Sequence, residues 1–267
     1  MTQDNGGTAP GPVLECIDVE RRFGGLAALT GIHLHVNRGE IFGLVGPNGS
    51  GKTTLTNAIT GFYPPQKGEI RLRGQNITGT PPHKVAGMGV ARTFQNLALF
   101  NGMSVLDNIL LGRHIHMKPS VLRTALYWWM AREEETRHRE TVEEVIEFMQ
   151  LQSVRSELVD GIPIGMKKRV ELARALVAEP SFLILDEPMA GMNQEEKEYM
   201  ARFILDARDE RGVTVLLIEH HMDVITGICD RVMVLSYGET IGTGVPSEVI
   251  ADPRVIKAYL GSAHGGH

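Results

Sequence analysis

The sequence predicts an α/β fold with a parallel sheet, an antiparallel β subdomain ahead of it and an α-helical subdomain inserted into it. Three observations carry this. Residues 40–45, 182–185 and 213–218 are short apolar runs with the length and content of strands buried on both faces. Helical periodicity follows the first two, at 55–60 and 194–210, so strand and helix alternate as they do when helices cover a parallel sheet. Residues 13–36 instead alternate apolar and polar side chains around Arg21-Arg22-Phe23-Gly24-Gly25, the pattern of a hairpin with a glycine turn.

In chain order, residues 1–12 are rich in Gly, Pro, Thr and Asn and have no period, so they read as a flexible tail. The hairpin comes next, then the strand 40–45, a glycine loop over 46–54, a helix to Thr60 and a stop at Gly61. Strands are expected at 68–73 and 89–94. Long helical stretches fill 105–150, with the charged part 131–144 solvated, and the helical subdomain is expected over about 97–178. An amphipathic helix at 164–178 leads into the strand 182–185, the helix 194–210 and the strand 213–218. Residues 262–267 read as a second flexible tail, in which His264 and His267 have no fixed geometry for a metal.

Composition removes several classes of function. Hydrophobic residues at 42% and charged residues at 22% match an ordinary globular chain, neither disordered nor membrane-embedded. A net charge of -5 provides no global field for nucleic acid. Cys16 and Cys229 stand outside any CxxC spacing and are expected as reduced, buried thiols. No apolar run approaches the ~20 residues that span a bilayer, and residues 1–12 lack the basic-then-apolar pattern of a leader. Work at a membrane would need other chains as the anchor.

The chemistry starts at Gly46-Pro47-Asn48-Gly49-Ser50-Gly51-Lys52-Thr53-Thr54, which fits GxxxxGK[ST] with a strand before it and a helix after it. Its glycines let successive amides turn towards a polyphosphate at a helix N-terminus, where the dipole favours negative charge. Lys52 neutralises the β- and γ-phosphates, and Thr53 offers Mg²⁺ a hydroxyl ligand. Phe182-Leu183-Ile184-Leu185-Asp186-Glu187 is a buried strand ending in two acids at the carboxyl edge of the sheet. Asp186 suits the outer shell of Mg²⁺, and Glu187 is placed to polarise an attacking water.

As an ordered series over residues 13–260, these motifs resemble the ATP-binding-cassette (ABC) ATPases, whose core is a P-loop, RecA-like nucleotide-binding fold. The resemblance implies one such domain over 13–261, binding ATP and Mg²⁺. It implies that Phe23 stacks on adenine, that Gln95 reaches Mg²⁺ and senses the transporter, and that His220 contacts the γ-phosphate, with His221 its solvated neighbour. Ala190-Gly191-Met192-Asn193 is similar to the loop that crosses the dimer interface, with Asn193 where many relatives have Asp. The family's LSGGQ signature aligns with Ile162-Pro163-Ile164-Gly165-Met166, in which only Gly165 matches, as a ligand of the opposite subunit's nucleotide. Pro163 supplies neither hydroxyl nor amide hydrogen, so the half-site this chain completes for a partner is expected to be the slower one.

Within that family, Gly89-Val90-Ala91-Arg92-Thr93-Phe94-Gln95, the long inserted segment after Asn108, Ile218-Glu219-His220 and the ending over 252–261 resemble the branched-chain amino acid importer ATPases. Lipopolysaccharide-export ATPases share the core but are not expected to carry both the long insertion and this ending. A non-transport ABC switch and a P-loop kinase are the other readings; the kinase leaves Gln95, Asp186, Glu187 and His220 without a common role. The importer resemblance implies a second ABC ATPase subunit, transmembrane permease subunits, indirectly an extracytoplasmic solute-binding protein, and a place on the cytoplasmic face of the inner membrane. Leu97, Leu99 and Phe100 are expected to line a groove for the permease, and Tyr127-Trp128-Trp129-Met130 to pack inside the helical subdomain, with contact to a permease or the membrane surface as the alternative.

Overall fold

The computed structural model describes residues 11–94, 98–115 and 128–263. Gln95, Leu97, Tyr127, His264 and His267 lie outside the described residues, and Trp128 and Trp129 are described in their backbone alone. The strands are β1 (Leu14–Phe23), β2 (Leu26–Val36), β3 (Ile41–Val45), β4 (Lys67–Leu72), β5 (Gln75–Asn76), β6 (Val90–Arg92), β7 (Phe182–Asp186), β8 (Thr214–Ile218), β9 (Arg231–Ser236) and β10 (Glu239–Gly244). The α-helices are α1 (Lys52–Ile59), α2 (Pro82–Gly87), α3 (Val105–Leu110), α4 (Trp128–Phe148), α5 (Ile164–Leu176), α6 (Gln194–Arg211), α7 (Met222–Ile228), α8 (Pro246–Ile250) and α9 (Pro253–Ala263). The chain divides into two compact units, one formed by Met1–Val85 with Gly212–His267, the other by Ala86–Arg211.

In the first unit, β1 pairs antiparallel with β2 and with β4, placing Leu14 opposite both Val36 and Leu72, and β5 extends the sheet beyond β4. The β1–β2 turn is Gly24-Gly25, where Gly24 adopts a φ of 57°. A parallel arrangement stands apart from this: β3 lies between β8 and β9, and β10 returns antiparallel along β9. Every residue of β3 and β8 is buried, so neither strand alternates apolar and polar residues as the hairpin does. Arg231 opens β9 and donates to Glu40 Oε1 at 2.5 Å and to the His35 carbonyl at 2.8 Å, tying the end of β2 to the start of the parallel strands.

In the second unit, β6 and β7 pair in parallel, with Val90 opposite Phe182 and Arg92 opposite Ile184. Helix α3 starts on a Ser104 cap whose hydroxyl accepts from the Asp107 amide at 3.1 Å. Helices α4, α5 and α6 meet where the Phe148 and Phe203 rings stand 6.4 Å apart, with Arg211 over Phe148 and Arg169 over Phe203. Among the described residues this unit holds α3, α4 and α5 together with β6, β7 and α6.

Three boundaries differ from the sequence reading. The strand expected at 89–94 keeps only Val90–Arg92, and just beyond it the Thr93 hydroxyl accepts from the Asp186 amide. Helix α5 ends at Leu176, and Glu179, at φ 49°, turns the chain towards β7. Helix α9 continues through Gly261 to Ala263, into the stretch read as a tail from residue 262; one glycine weakens a helix by about 1 kcal/mol without forbidding it.

Candidate nucleotide site

Strand β3 delivers the chain into the loop of residues 46–51, whose shape depends on glycine at two points. Gly46 and Gly51 adopt φ 151° and 109°. A Cβ at Gly46 would stand 2.7 Å from Ser50 Oγ and closer still to the Leu235 carbonyl, while one at Gly51 would stand 2.7 Å from the Ala28 carbonyl. Gly51 is the N-cap of α1 and, having no side chain, makes no capping hydrogen bond to that helix. The start of α1 therefore offers its amides to a ligand. Lys52 folds its ammonium back over the loop, donating to the Gly46 carbonyl at 2.6 Å and the Pro47 carbonyl at 3.1 Å. Ser50 Oγ is buried and makes no hydrogen bond among the described residues. Asn48, Gly49 and Thr53 are exposed and Thr54 is half-buried, leaving the mouth of the loop open. Uncapped amides, an ammonium and an orphaned hydroxyl form a set that fits a polyphosphate.

The pairing of β3 with β8 places a second group at the same edge. Leu44 lies opposite Ile218, so the residues after each strand, Gly46 on one and Glu219-His220 on the other, leave the sheet side by side. Glu219 is buried and its carboxylate accepts from the His220 amide at 3.3 Å; the His220 side chain is exposed. Phe23, at the end of β1, is also exposed and meets Tyr63 edge-on at 5.7 Å and 84°. Arg21 lies 4.9 Å from the Phe23 ring centre and 5.9 Å from that of Tyr63, held by a 2.8 Å hydrogen bond to the Pro64 carbonyl. An aromatic patch of this kind suits a purine face.

In the other unit, the parallel pairing of β6 and β7 brings Arg92-Thr93 and Asp186-Glu187 to one edge. Asp186 is buried, and its Oδ2 accepts from Arg92 at 2.9 Å, with both side chains only 7% exposed. Its amide donates to the Thr93 hydroxyl at 3.2 Å, and the Thr93 amide in turn donates to the Ile184 carbonyl. Glu187, half-buried, is left-handed at φ 49°, an arrangement that costs a non-glycine residue energy and is kept where surrounding structure holds it. The turn it starts is closed by the Ala190 amide on the Glu187 carbonyl. Gln95 follows Phe94 but lies outside the described residues.

The signature-like segment is in this same unit. Pro163 is the N-cap of α5 with no side-chain capping bond, and Pro163 and Ile164 are exposed. Gly165 is buried instead: a Cβ there would stand 2.7 Å from the Glu196 carboxyl carbon and closer to its Oε1. Glu196 is not free to retreat, because its Oε2 accepts from the Asn193 amide while Asn193 Oδ1 accepts from the Glu196 amide, both at 2.9 Å. This reciprocal cap starts α6. The one residue that matches the signature consensus is thus explained within its own unit by the Glu196 contact.

The chain matches the family described as ABC transporter over residues 29–190, and the description Branched-chain amino acid ATP-binding cassette transporter over residues 239–265. The chain belongs to the ABC transporter family. It is 39% identical over 252 residues to the high-affinity branched-chain amino acid transport ATP-binding protein BraF of Pseudomonas aeruginosa, covering 94% of this chain and 99% of that one. It is 37% identical, with the same coverage, to the corresponding protein LivG of Escherichia coli K12. Among solved structures it is similar to an ATP-binding cassette of an ABC transporter in its ADP conformation, with a TM-score of 0.82 and 32% identity, over 94% of this chain and 99% of that one. The ABC ATPase fold and nucleotide binding follow from that membership.

Within this ABC ATPase, three participants escaped the sequence reading. Arg92 was legible only as part of a motif, since nothing in the string pairs it with Asp186 ninety-four positions away. Tyr63 sits after α1 with no spacing to link it to Phe23. Glu196 did carry a signal, because Asn193-x-x-Glu196 ahead of a helical run is a capping pattern.

Proposed function

We propose that this ABC ATPase is the ATP-hydrolysing subunit of an importer for branched-chain amino acids or a related small polar solute. The observation that carries the cargo class is the match of residues 239–265 to the branched-chain description, on a chain collinear over 94% of its length with BraF and LivG. Lipopolysaccharide export and non-transport switching have no comparable support.

In this reading the triphosphate lies on Gly46, Pro47, Asn48, Gly49, Ser50, Gly51, Lys52, Thr53 and Thr54. Lys52 leaves its two loop carbonyls for the β- and γ-phosphates, an exchange of neutral acceptors for charged ones that favours the bound state. Phe23 stacks on the adenine. Thr53, Asp186 and Gln95 are the residues that would hold Mg²⁺, Asp186 through water, and the ion offsets charge on the phosphates. Glu187 accepts a proton from the attacking water, and the His220 imidazole holds the γ-phosphate. Arg92 pairs with the Asp186 carboxylate at 2.9 Å and keeps it aimed.

A second cassette subunit supplies its own signature segment to this chain's nucleotide, and Gly165 serves the partner's in return. Closure of that dimer on ATP and its release after hydrolysis shift the attached permease subunits between orientations, while an extracytoplasmic binding protein selects the solute. Among the described residues no helix is long and apolar enough to cross a membrane. Docking on permeases at the cytoplasmic face of the inner membrane provides the anchor. The test is reconstitution with the co-purifying membrane subunits in proteoliposomes, measuring ATP turnover with leucine, isoleucine or valine and the matching binding protein. The reading predicts stimulation by at least one of the three; stimulation only by a solute of another class would overturn the cargo assignment.

A further inference from the structure

Glu219, His220 and His221 are consecutive residues between β8 and α7, and each presents one ligand atom, all within 4.8 Å of one another. The carboxylate is fully buried, His220 is exposed and His221 is intermediate, with the two rings 4.5 Å apart and tilted by 41°. His221 also stands at the N-cap of α7, yet its side chain makes no capping hydrogen bond. Serine, threonine, aspartate or asparagine at such a position stabilises a helix by about 1 kcal/mol, so helix stability does not account for the imidazole.

We infer that Glu219, His220 and His221 form a binding site for a borderline transition metal such as Zn²⁺, and that metal bound there arrests ATP hydrolysis by withdrawing His220. Two imidazole nitrogens and one carboxylate oxygen are the donor set of three-ligand zinc centres, in which water or substrate occupies the fourth position. Bonds of 2.0–2.2 Å in a tetrahedron place donors about 3.3 Å apart. Metal binding therefore requires the two imidazoles to rotate and draw the donors in from the present spread. Mg²⁺ does not compete, because it favours an octahedron of oxygen ligands and retains its waters. The site is thus chemically separate from the Mg²⁺ that accompanies the nucleotide. The inhibitory half rests on the role proposed above for His220, whereas metal binding does not.

The experiment titrates the purified full chain with Zn²⁺ by calorimetry and with Co²⁺ by visible absorption. A single tight equivalent with the intense bands of tetrahedral Co²⁺ is expected. His221→Asn is the chosen variant because asparagine is a good N-cap, so α7 should keep its stability while a ligand is lost. It should weaken metal binding by at least about tenfold, since even loss of an outer partner costs that much. A variant with His264→Ala and His267→Ala should bind as the parent does. Turnover measured at buffered free Zn²⁺ should fall in the parent and persist in His221→Asn, whose metal-free activity should equal the parent's. No binding in the parent, or binding removed by the tail substitutions or untouched by His221→Asn, would overturn the site. Binding through His221 with turnover unaffected would overturn the inhibition and with it the role given to His220, leaving the metal site standing.

Discussion

Gly165→Ala isolates the contact between the start of α5 and the cap of α6. Alanine favours a helix over glycine by at most about 1 kcal/mol at this second helical residue, so propensity alone predicts a gain. The added methyl, however, needs the space of the Glu196 carboxyl carbon, 2.7 Å away. Moving that group breaks the 2.9 Å bond from the Asn193 amide, a hydrogen bond to a charged acceptor contributing roughly 1.5–3 kcal/mol. The net expectation is a loss of about 1–2 kcal/mol. In a Glu196→Ala background the obstruction and the bond are both gone, and Gly165→Ala should stabilise by up to about 1 kcal/mol. The coupling between the two sites is therefore about 2 kcal/mol, well beyond the scatter of independent sites. Urea unfolding of the four proteins, followed by circular dichroism, measures it. An equal effect of Gly165→Ala in both backgrounds would refute the argument that Glu196 is what keeps a glycine at this position.

Arg92→Ala should destabilise the chain by about 3–5 kcal/mol, because it leaves the Asp186 carboxylate buried without its partner; adding Asp186→Asn should recover much of the loss, and calorimetric midpoints check both. Burial pushes the Cys16 and Cys229 thiols up to about 12, the latter helped by Asp230 and Glu219, so neither should react with an aromatic disulfide reagent at pH 8 until urea is added. The same shift has a sign: between pH 9.0 and about 12 the unfolded chain releases these protons and the folded chain retains them, so stability should fall as pH rises through that window. Titrating urea midpoints against pH reads this slope, and a flat profile for the parent relative to Cys16→Ala would contradict it.

What the string made legible was whatever rests on a local pattern. The loop at 46–54, the strand ending in Asp186-Glu187 and the buried runs β3, β7 and β8 follow from short-range spacing and apolar content. The strand β9 had a similar apolar run, Val232 to Leu235, but its flanks lack the motif that marked the others, and it emerges only from its pairing with β3. Long-range partners had no local trace: Arg92 with Asp186, Arg231 with Glu40 and Phe23 with Tyr63 are set by tertiary packing. Gly165 was read as a phosphate ligand because a family pattern marked it, while its burial against Glu196 depends on how two helix starts meet. The strain at Glu187 was likewise invisible, since nothing in Asp186-Glu187-Pro188 demands a positive φ.

The most direct test of the central claim is Glu187→Gln in the full chain, with ATP affinity and single-turnover hydrolysis measured side by side. A carboxylate that accepts the water's proton contributes typically 10²–10⁴-fold, so the account predicts a fall in hydrolysis of at least about a hundredfold with ATP binding nearly unchanged. Hydrolysis within a few-fold of the parent, or loss of ATP binding in step with it, would contradict the role assigned to this residue.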